Sequence, residues 1–112
     1  MRNYNLESVE EMAGGDQDFV KVVVQTFLEE IPPDLEGMNQ AVIQDNPEQA
    51  YQYAHKMKPN FQMFGLGLMP QIKILEGWAK DGENKEEVQE ATRIITDKYK
   101  KAEKELKEDF DL

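Results

Sequence analysis

Apolar residues recur along this chain at intervals of three and four, the period of an amphipathic helix, and glycine and proline cut the pattern into segments. A first short helix is expected from about Asn5 to Ala13, stopped by Gly14-Gly15 at the position where helix ends favour glycine. Asp16 can cap a second, long segment in which Phe19, Val23, Phe27 and Ile31 recur every fourth residue. Pro32-Pro33 predicts a kink there, or a break into two helices, before Leu35, Met38 and Val42 resume the pattern. Asn46-Pro47-Glu48-Gln49 reads as a helix start: a cap, proline at the first helical position, an acid, and glutamine at the third. The helix that follows carries an unbroken stripe of Ala50, Ala54, Met57, Phe61, Phe64 and Leu68, with Gly65 and Gly67 ending it before Leu68. A fourth helix holds Ile72, Leu75 and Ala79, with Trp78 alongside, and stops near Asp81-Gly82. Asn84 and Glu87 make a capping box for the last helix, whose stripe is Val88, Thr92, Ile95, Tyr99, Ala102 and Leu106. The tail from Lys107 to Leu112 is expected to fray.

The segments between these helices are short, which favours antiparallel neighbours. The expected fold is therefore all-α: an antiparallel up-down-up-down four-helix bundle with a short N-terminal helix packed against it, forming one domain over residues 1–112. Composition agrees, with 32% charged residues, 39% apolar residues and few aromatics. The chain has no cysteine, which excludes disulfides, thiolate metal sites and thiol nucleophiles. It shows no signal-peptide pattern and no apolar run near the roughly 20 residues needed to span a bilayer, so the cytoplasm is the expected location. A net charge of −10 argues against nucleic acid and anionic membrane as partners and is compatible with protein partners.

The charge is unevenly spread. From Gln49 to Leu75 there is no aspartate or glutamate, although the chain holds 23 of them, and that stretch contains Lys56, Lys58, Lys73 and the sole histidine, His55. On a helix His55 lies roughly 100° around from the core residue Ala54, which places it at the rim of the stripe and facing solvent. Its neighbours three and four residues away are Tyr51, Gln52, Lys58 and Pro59, with Gln62 two turns on. An imidazole in water titrates near ~6.5, so at neutral pH a ring nitrogen is mostly free to attack phosphorus and form a phosphohistidine. The added group carries about two negative charges, which suits a lysine nearby and an absence of carboxylates. Phosphoryl transfer asks mainly for positioning and charge neutralisation, so one nucleophile suffices if a partner brings the remaining machinery. The plain alternative is that His55 is a polar surface residue and the acid-free stretch reflects burial of the central helix. The Met and Phe stripe reads as core, the acidic runs elsewhere as solvated faces. Metal binding by His55 is not expected, since no second histidine or carboxylate lies three or four residues away.

The run Ala54-His55-Lys56-Met57-Lys58, followed by Phe64-Gly65-Leu66, resembles the signature of histidine-containing phosphotransfer (HPt) domains, which show Ala-His-x-Leu-Lys-Gly and a glycine ten positions after the histidine. Leu6, Gly14-Gly15-Asp16, Phe19, Phe27-Leu28 and the Pro32 break are also similar to that family, so the likeness extends over nearly the whole chain. The resemblance implies a four-helix bundle whose exposed histidine takes a phosphoryl group from the aspartate of one receiver domain and passes it to another. It implies that the outer ring nitrogen of His55 is phosphorylated, that Lys58 neutralises the phosphate, and that Gly65 is a structural glycine. Receivers would dock around the histidine on Tyr51, Gln52, Lys56, Pro59, Gln62 and Met63. The implied partners are response-regulator receiver domains and a hybrid histidine kinase. No cofactor is expected in this chain, the magnesium ion of transfer being held by the receiver, and a monomer is expected.

Two residues depart from the family pattern. Pro59 stands where glycine is usual, with Asn60 after it. Proline in a helix interior costs about 3 kcal/mol and removes one backbone bond, here the one to the carbonyl of His55. A local bend, or a carbonyl open to water beneath the histidine, is expected. Three other readings stand beside this one. A histidine-kinase dimerisation domain would have an acid directly after the histidine and a proline five residues on, whereas here Lys56 follows and the proline is four on. A binding-only helical adaptor would dock receivers without chemistry, and a purely structural bundle would bind none. The opening methionine and the early end after the last helix fit a free-standing protein, and a domain of a hybrid kinase would look similar.

Overall fold

Asp16 and Asn46 set where the two central helices begin. The Asp16 carboxylate accepts from the Phe19 amide at 3.2 Å, and the Asn46 side-chain oxygen accepts from the Gln49 amide at 3.2 Å. Each satisfies a backbone donor that the first helical turn leaves without a partner. The computed structural model of the chain describes residues 2–82 and 85–112, so the capping box read at Asn84 lies outside the described residues. Five helices follow in order: α1 Glu7–Ala13, α2 Gln17–Ile43, α3 Pro47–Met63, α4 Met69–Asp81 and α5 Lys85–Asp109. No strand occurs among the described residues. None of these helices is long and apolar enough to cross a membrane.

All five helices contribute to one continuous apolar core, from Val9 on α1 to Leu106 on α5. The molecule is elongated, 46 by 23 by 21 Å. Packing joins α2 to α3, α3 to α4, α4 to α5 and α5 back to α2, with α1 laid on α2. The expected stripes of α3 and α5 are buried throughout. Phe27 of α2 stacks on Phe64 at the end of α3, ring centroids 3.9 Å apart. Nearer the other end of the same seam, Lys56 of α3 meets Asp34 of α2 at 3.3 Å. Residue numbers thus rise along α2 as they fall along α3.

Several expectations change. Of the kink or break expected at Pro32-Pro33, the break does not occur: α2 runs unbroken from Gln17 to Ile43. Proline deprives only the carbonyls of Leu28 and Glu29 of their donors, while Ile31, Asp34 and Leu35 are buried on both sides of the pair and hold the helix in place. At the start of α2 the core line is Val20 and Val24, not Phe19 and Val23, and Phe19 is 42% exposed. Strict steps of four drift around a helix of 3.6 residues per turn, whereas Val20, Val24, Phe27 and Ile31 stay on one face. On α4, Trp78 is the core residue and Ala79 is only half-buried; the larger indole reaches inward from the last turn where a methyl does not. The first helix starts at Glu7, two residues late, with Asn5 Oδ1 accepting from the Glu7 amide at 2.7 Å.

The C-terminal tail is not frayed. Helix α5 extends to Asp109, and the N-terminal segment is tied to it: Arg2 and Tyr4 both donate to the Asp109 carboxylate, and the Asn3 amide donates to Glu105 at 2.6 Å. The Asn5 amide then donates to the carbonyl of Phe64 at 2.7 Å, joining the same segment to the end of α3. Gly65 accepts the left-handed conformation there, at φ 65°, and presents no side chain to Asn5.

Candidate functional site

The cap at Asn46 and the buried line Ala50, Ala54, Met57 and Phe61 fix the rotation of α3. At 100° per residue, Tyr51, His55, Lys58 and Gln62 then fall in one row along the edge that borders α4. Gln52, Lys56 and Pro59 face outward and are exposed; Met63 is half-buried at the helix end. His55 is exposed, Lys58 and Tyr51 are half-buried. Helix α3 continues through Pro59 to Met63 without interruption. The His55 carbonyl necessarily lacks the amide donor that any other residue at position 59 would supply.

The His55 ring lies against Tyr51, centroids 5.6 Å apart and planes inclined at 55°. No side-chain hydrogen bond holds the imidazole among the described residues. Its nitrogens are therefore free for chemistry, as the sequence implied for an exposed histidine.

The surroundings are less free of acid in space than they are in sequence. Glu76 of α4 lies at the same seam: its carboxylate accepts from the Tyr51 hydroxyl at 3.4 Å and from Lys80 at 3.0 Å. The Lys80 bond and charge hold the Glu76 carboxyl below the usual range, and the Tyr51 hydroxyl and the Lys58 ammonium act in the same direction. Lys58 itself makes no ion pair among the described residues. On the other flank, Lys56 turns to α2 and pairs with Asp34, one of the few buried polar residues at 8% exposure. Asn60 reaches Glu30 on the same side at 3.3 Å. Gln62 donates to the Met69 sulfur at 3.6 Å, at the α3–α4 connection.

The row thus brings Tyr51, His55, Lys58 and Gln62 together. Lys56 sits on the opposite flank, engaged with a carboxylate. Sequence reading missed Glu76, Asp34 and Glu30, all of which come from neighbouring helices. Two of them left a faint signal that names no partner: Asp34 falls on the buried line between Ile31 and Met38, and Glu76 and Lys80 form an i, i+4 pair beside the buried Leu75, whereas Glu30 left none.

Residues 22–73 match the family model of the Hpt domain. This segment is an Hpt domain. The match runs from α2 through α3 into the first turns of α4 and includes both His55 and Lys58. No curated protein and no solved structure matches the chain. An Hpt domain carries a phosphotransfer role in two-component signalling, acting with receiver domains and kinases. The row on α3 brings together an exposed histidine, an aromatic neighbour against its ring and a lysine one turn away.

Proposed function

We propose that this chain is a phosphorelay carrier in which His55 accepts a phosphoryl group from the aspartate of one receiver domain and passes it to the aspartate of another. The observation that carries the reading is the exposed His55 in one row with Lys58, inside the segment that matches the Hpt family. In the forward step a neutral ring nitrogen donates its lone pair to phosphorus, the N–P bond forms and the aspartyl P–O bond breaks. The receiver recovers its carboxylate, and the ring is left as a phosphoimidazolium that can lose its other N–H proton to water. The outer nitrogen is the one used. Onward transfer reverses the step on a second receiver. Lys58, which makes no ion pair among the described residues, balances the phosphoryl charge.

Receivers dock on Tyr51, Gln52, Pro59, Gln62 and Met63 around the histidine, with Gly65 shaping the end of the helix. Lys56, already paired with Asp34, borders that surface. The receiver brings the magnesium ion, a hybrid histidine kinase stands upstream, and the chain works as a monomer in the cytoplasm. Its helices form one domain in an up-down-up-down bundle; the pairs Phe27–Phe64 and Asp34–Lys56, and the return packing of α5 on α2, support that arrangement.

Intact mass of the wild type and of His55→Gln, after mixing with phosphorylated receiver domains, tests the proposal. One added phosphate on the wild type alone, labile in acid and stable in base, and its loss to a second receiver, is the expected result. Receiver binding without any phosphate would favour the binding-only adaptor. Phosphate on both proteins would remove His55 from the reading.

A further inference from the structure

An imidazole that makes no hydrogen bond is free to turn about its χ angles, and a phosphoryl carrier has to present one nitrogen and not the other. In many histidine sites a carboxylate or a carbonyl on the second ring nitrogen performs that task. Among the described residues of this chain none does. What touches the ring is Tyr51, one turn earlier on α3, with its plane inclined at 55° and its centroid 5.6 Å away. That separation and tilt lie within the favourable range for two aromatic rings. Tyr51 is in turn fastened at its far end: its hydroxyl donates to Glu76 Oε2 at 3.4 Å, and Glu76 Oε1 accepts from Lys80 at 3.0 Å. A continuous line of contacts therefore leads from α4 through the Tyr51 ring to the imidazole.

We infer that Glu76 is a positioning residue for His55, acting through Tyr51 to hold the imidazole with its outer nitrogen toward the partner. The inference rests on the reading of His55 as a phosphoryl acceptor. Glu76 touches neither the ring nor the phosphoryl group. With Tyr51 fixed, one side of the imidazole is blocked and the rotamer that sends the outer nitrogen outward is favoured. With Tyr51 released, the ring samples orientations that offer either nitrogen. Lys80 serves the same end by holding the Glu76 carboxylate in place, and the Glu76→Gln variant keeps an oxygen able to accept from the Tyr51 hydroxyl.

Phosphoramidate, a small donor that phosphorylates histidine without any receiver, makes the test independent of partner identity. The ring nitrogen forms its N–P bond as the donor's P–N bond breaks and ammonia leaves. The two phosphohistidine isomers are then separated by phosphorus and nitrogen NMR on the full chain. The wild type should give the outer-nitrogen isomer in large excess. Glu76→Ala, Tyr51→Phe and Tyr51→Leu should each lower that isomer ratio, by about fivefold for loss of the hydrogen bond and further for loss of the ring. Glu76→Gln should retain most of the selectivity. Glu76→Ala should add nothing further in the Tyr51→Leu background, because the line is already cut. Circular dichroism confirms that each variant keeps its helices. Unchanged isomer ratios in Glu76→Ala and Tyr51→Leu would overturn the inference, as would equal loss in Glu76→Gln and Glu76→Ala. If receivers fail to phosphorylate the wild type while phosphoramidate still shows Tyr51- and Glu76-dependent selectivity, the relay reading fails and the positioning role stands.

Discussion

The ring of Tyr53 on α3 occupies the space in front of Gly37 on α2, so that a methyl group placed on Gly37 would lie 2.5 Å from the ring carbon that bears the hydroxyl. Two opposed effects meet there. Alanine in a helix interior is favoured over glycine by about 1 kcal/mol. The ring has to leave its place, and overpacking of this kind costs about 1–3 kcal/mol. Gly37→Ala should therefore lower stability by about 1 kcal/mol in urea unfolding. In a Tyr53→Ala background the clash is gone, and Gly37→Ala should raise stability by about 1 kcal/mol. A stabilising Gly37→Ala in the wild-type background would show that Tyr53 moves aside freely.

The two lysines that flank His55 should separate into a structural one and a functional one. Lys56→Ala leaves the Asp34 carboxylate, on a side chain 12% exposed, without the partner seen at 3.3 Å, and should cost about 1–3 kcal/mol of stability. Lys58→Ala removes a cation with no ion pair among the described residues and should change stability little, yet lower the yield of phosphohistidine from a receiver about tenfold. Unfolding curves and phosphotransfer assays on the two variants check the contrast. Equal effects on transfer would sink it.

Alkaline stability should depend on two tyrosines. Burial, with the Asp109 carboxylate beside it, pushes the Tyr4 hydroxyl up to about 12. Burial and Glu103 push that of Tyr99 up as well. A phenol whose folded value is raised stabilises the fold below its unfolded value of about 10, and that contribution is lost as pH climbs from there toward the folded value. Stability should fall between about pH 10 and 12, and tyrosinate absorbance should include a late component that Tyr4→Phe diminishes. Absence of that late component would remove the claim.

Pro59 offers a gain. Pro59→Ala returns an amide donor beneath His55 at an exposed position of α3, and should raise stability by about 1–3 kcal/mol. Hydrogen exchange reads the restored bond directly: the new amide at position 59 should be protected. A destabilised variant, or an unprotected amide, would mean that the proline ring itself packs favourably.

Periodicity carried most of the fold because burial in a helix follows rotation, and rotation can be read from spacing. The α3 stripe from Ala50 to Leu68 is buried as read, and so the outward placement of His55 followed from the same pattern. The reading failed at Phe19 because a repeat of four is too long for the helix; at Pro32-Pro33 a break into two helices does not occur, because packing across the pair outweighs two lost backbone bonds. The placement of the candidate residues on α3 was legible for the same reason. Glu76, Asp34 and Glu30 were not, since a partner on another helix depends on how two helices are registered, which no single stripe encodes. The acid-free run around His55 is thus a property of the sequence and not of the space around the ring.

The clasp between the N-terminal segment and the end of α5 makes the chain nearly circular. Arg2 and Tyr4 share the Asp109 carboxylate, and Asn5 is bonded to Phe64, nine residues beyond His55 and roughly 13 Å farther along α3. A short peptide joining Leu112 to Arg2, with new ends opened at Gly14-Gly15, should fold to the same core. By the same closure, any passenger sequence fused at either terminus would leave from this one end of the molecule.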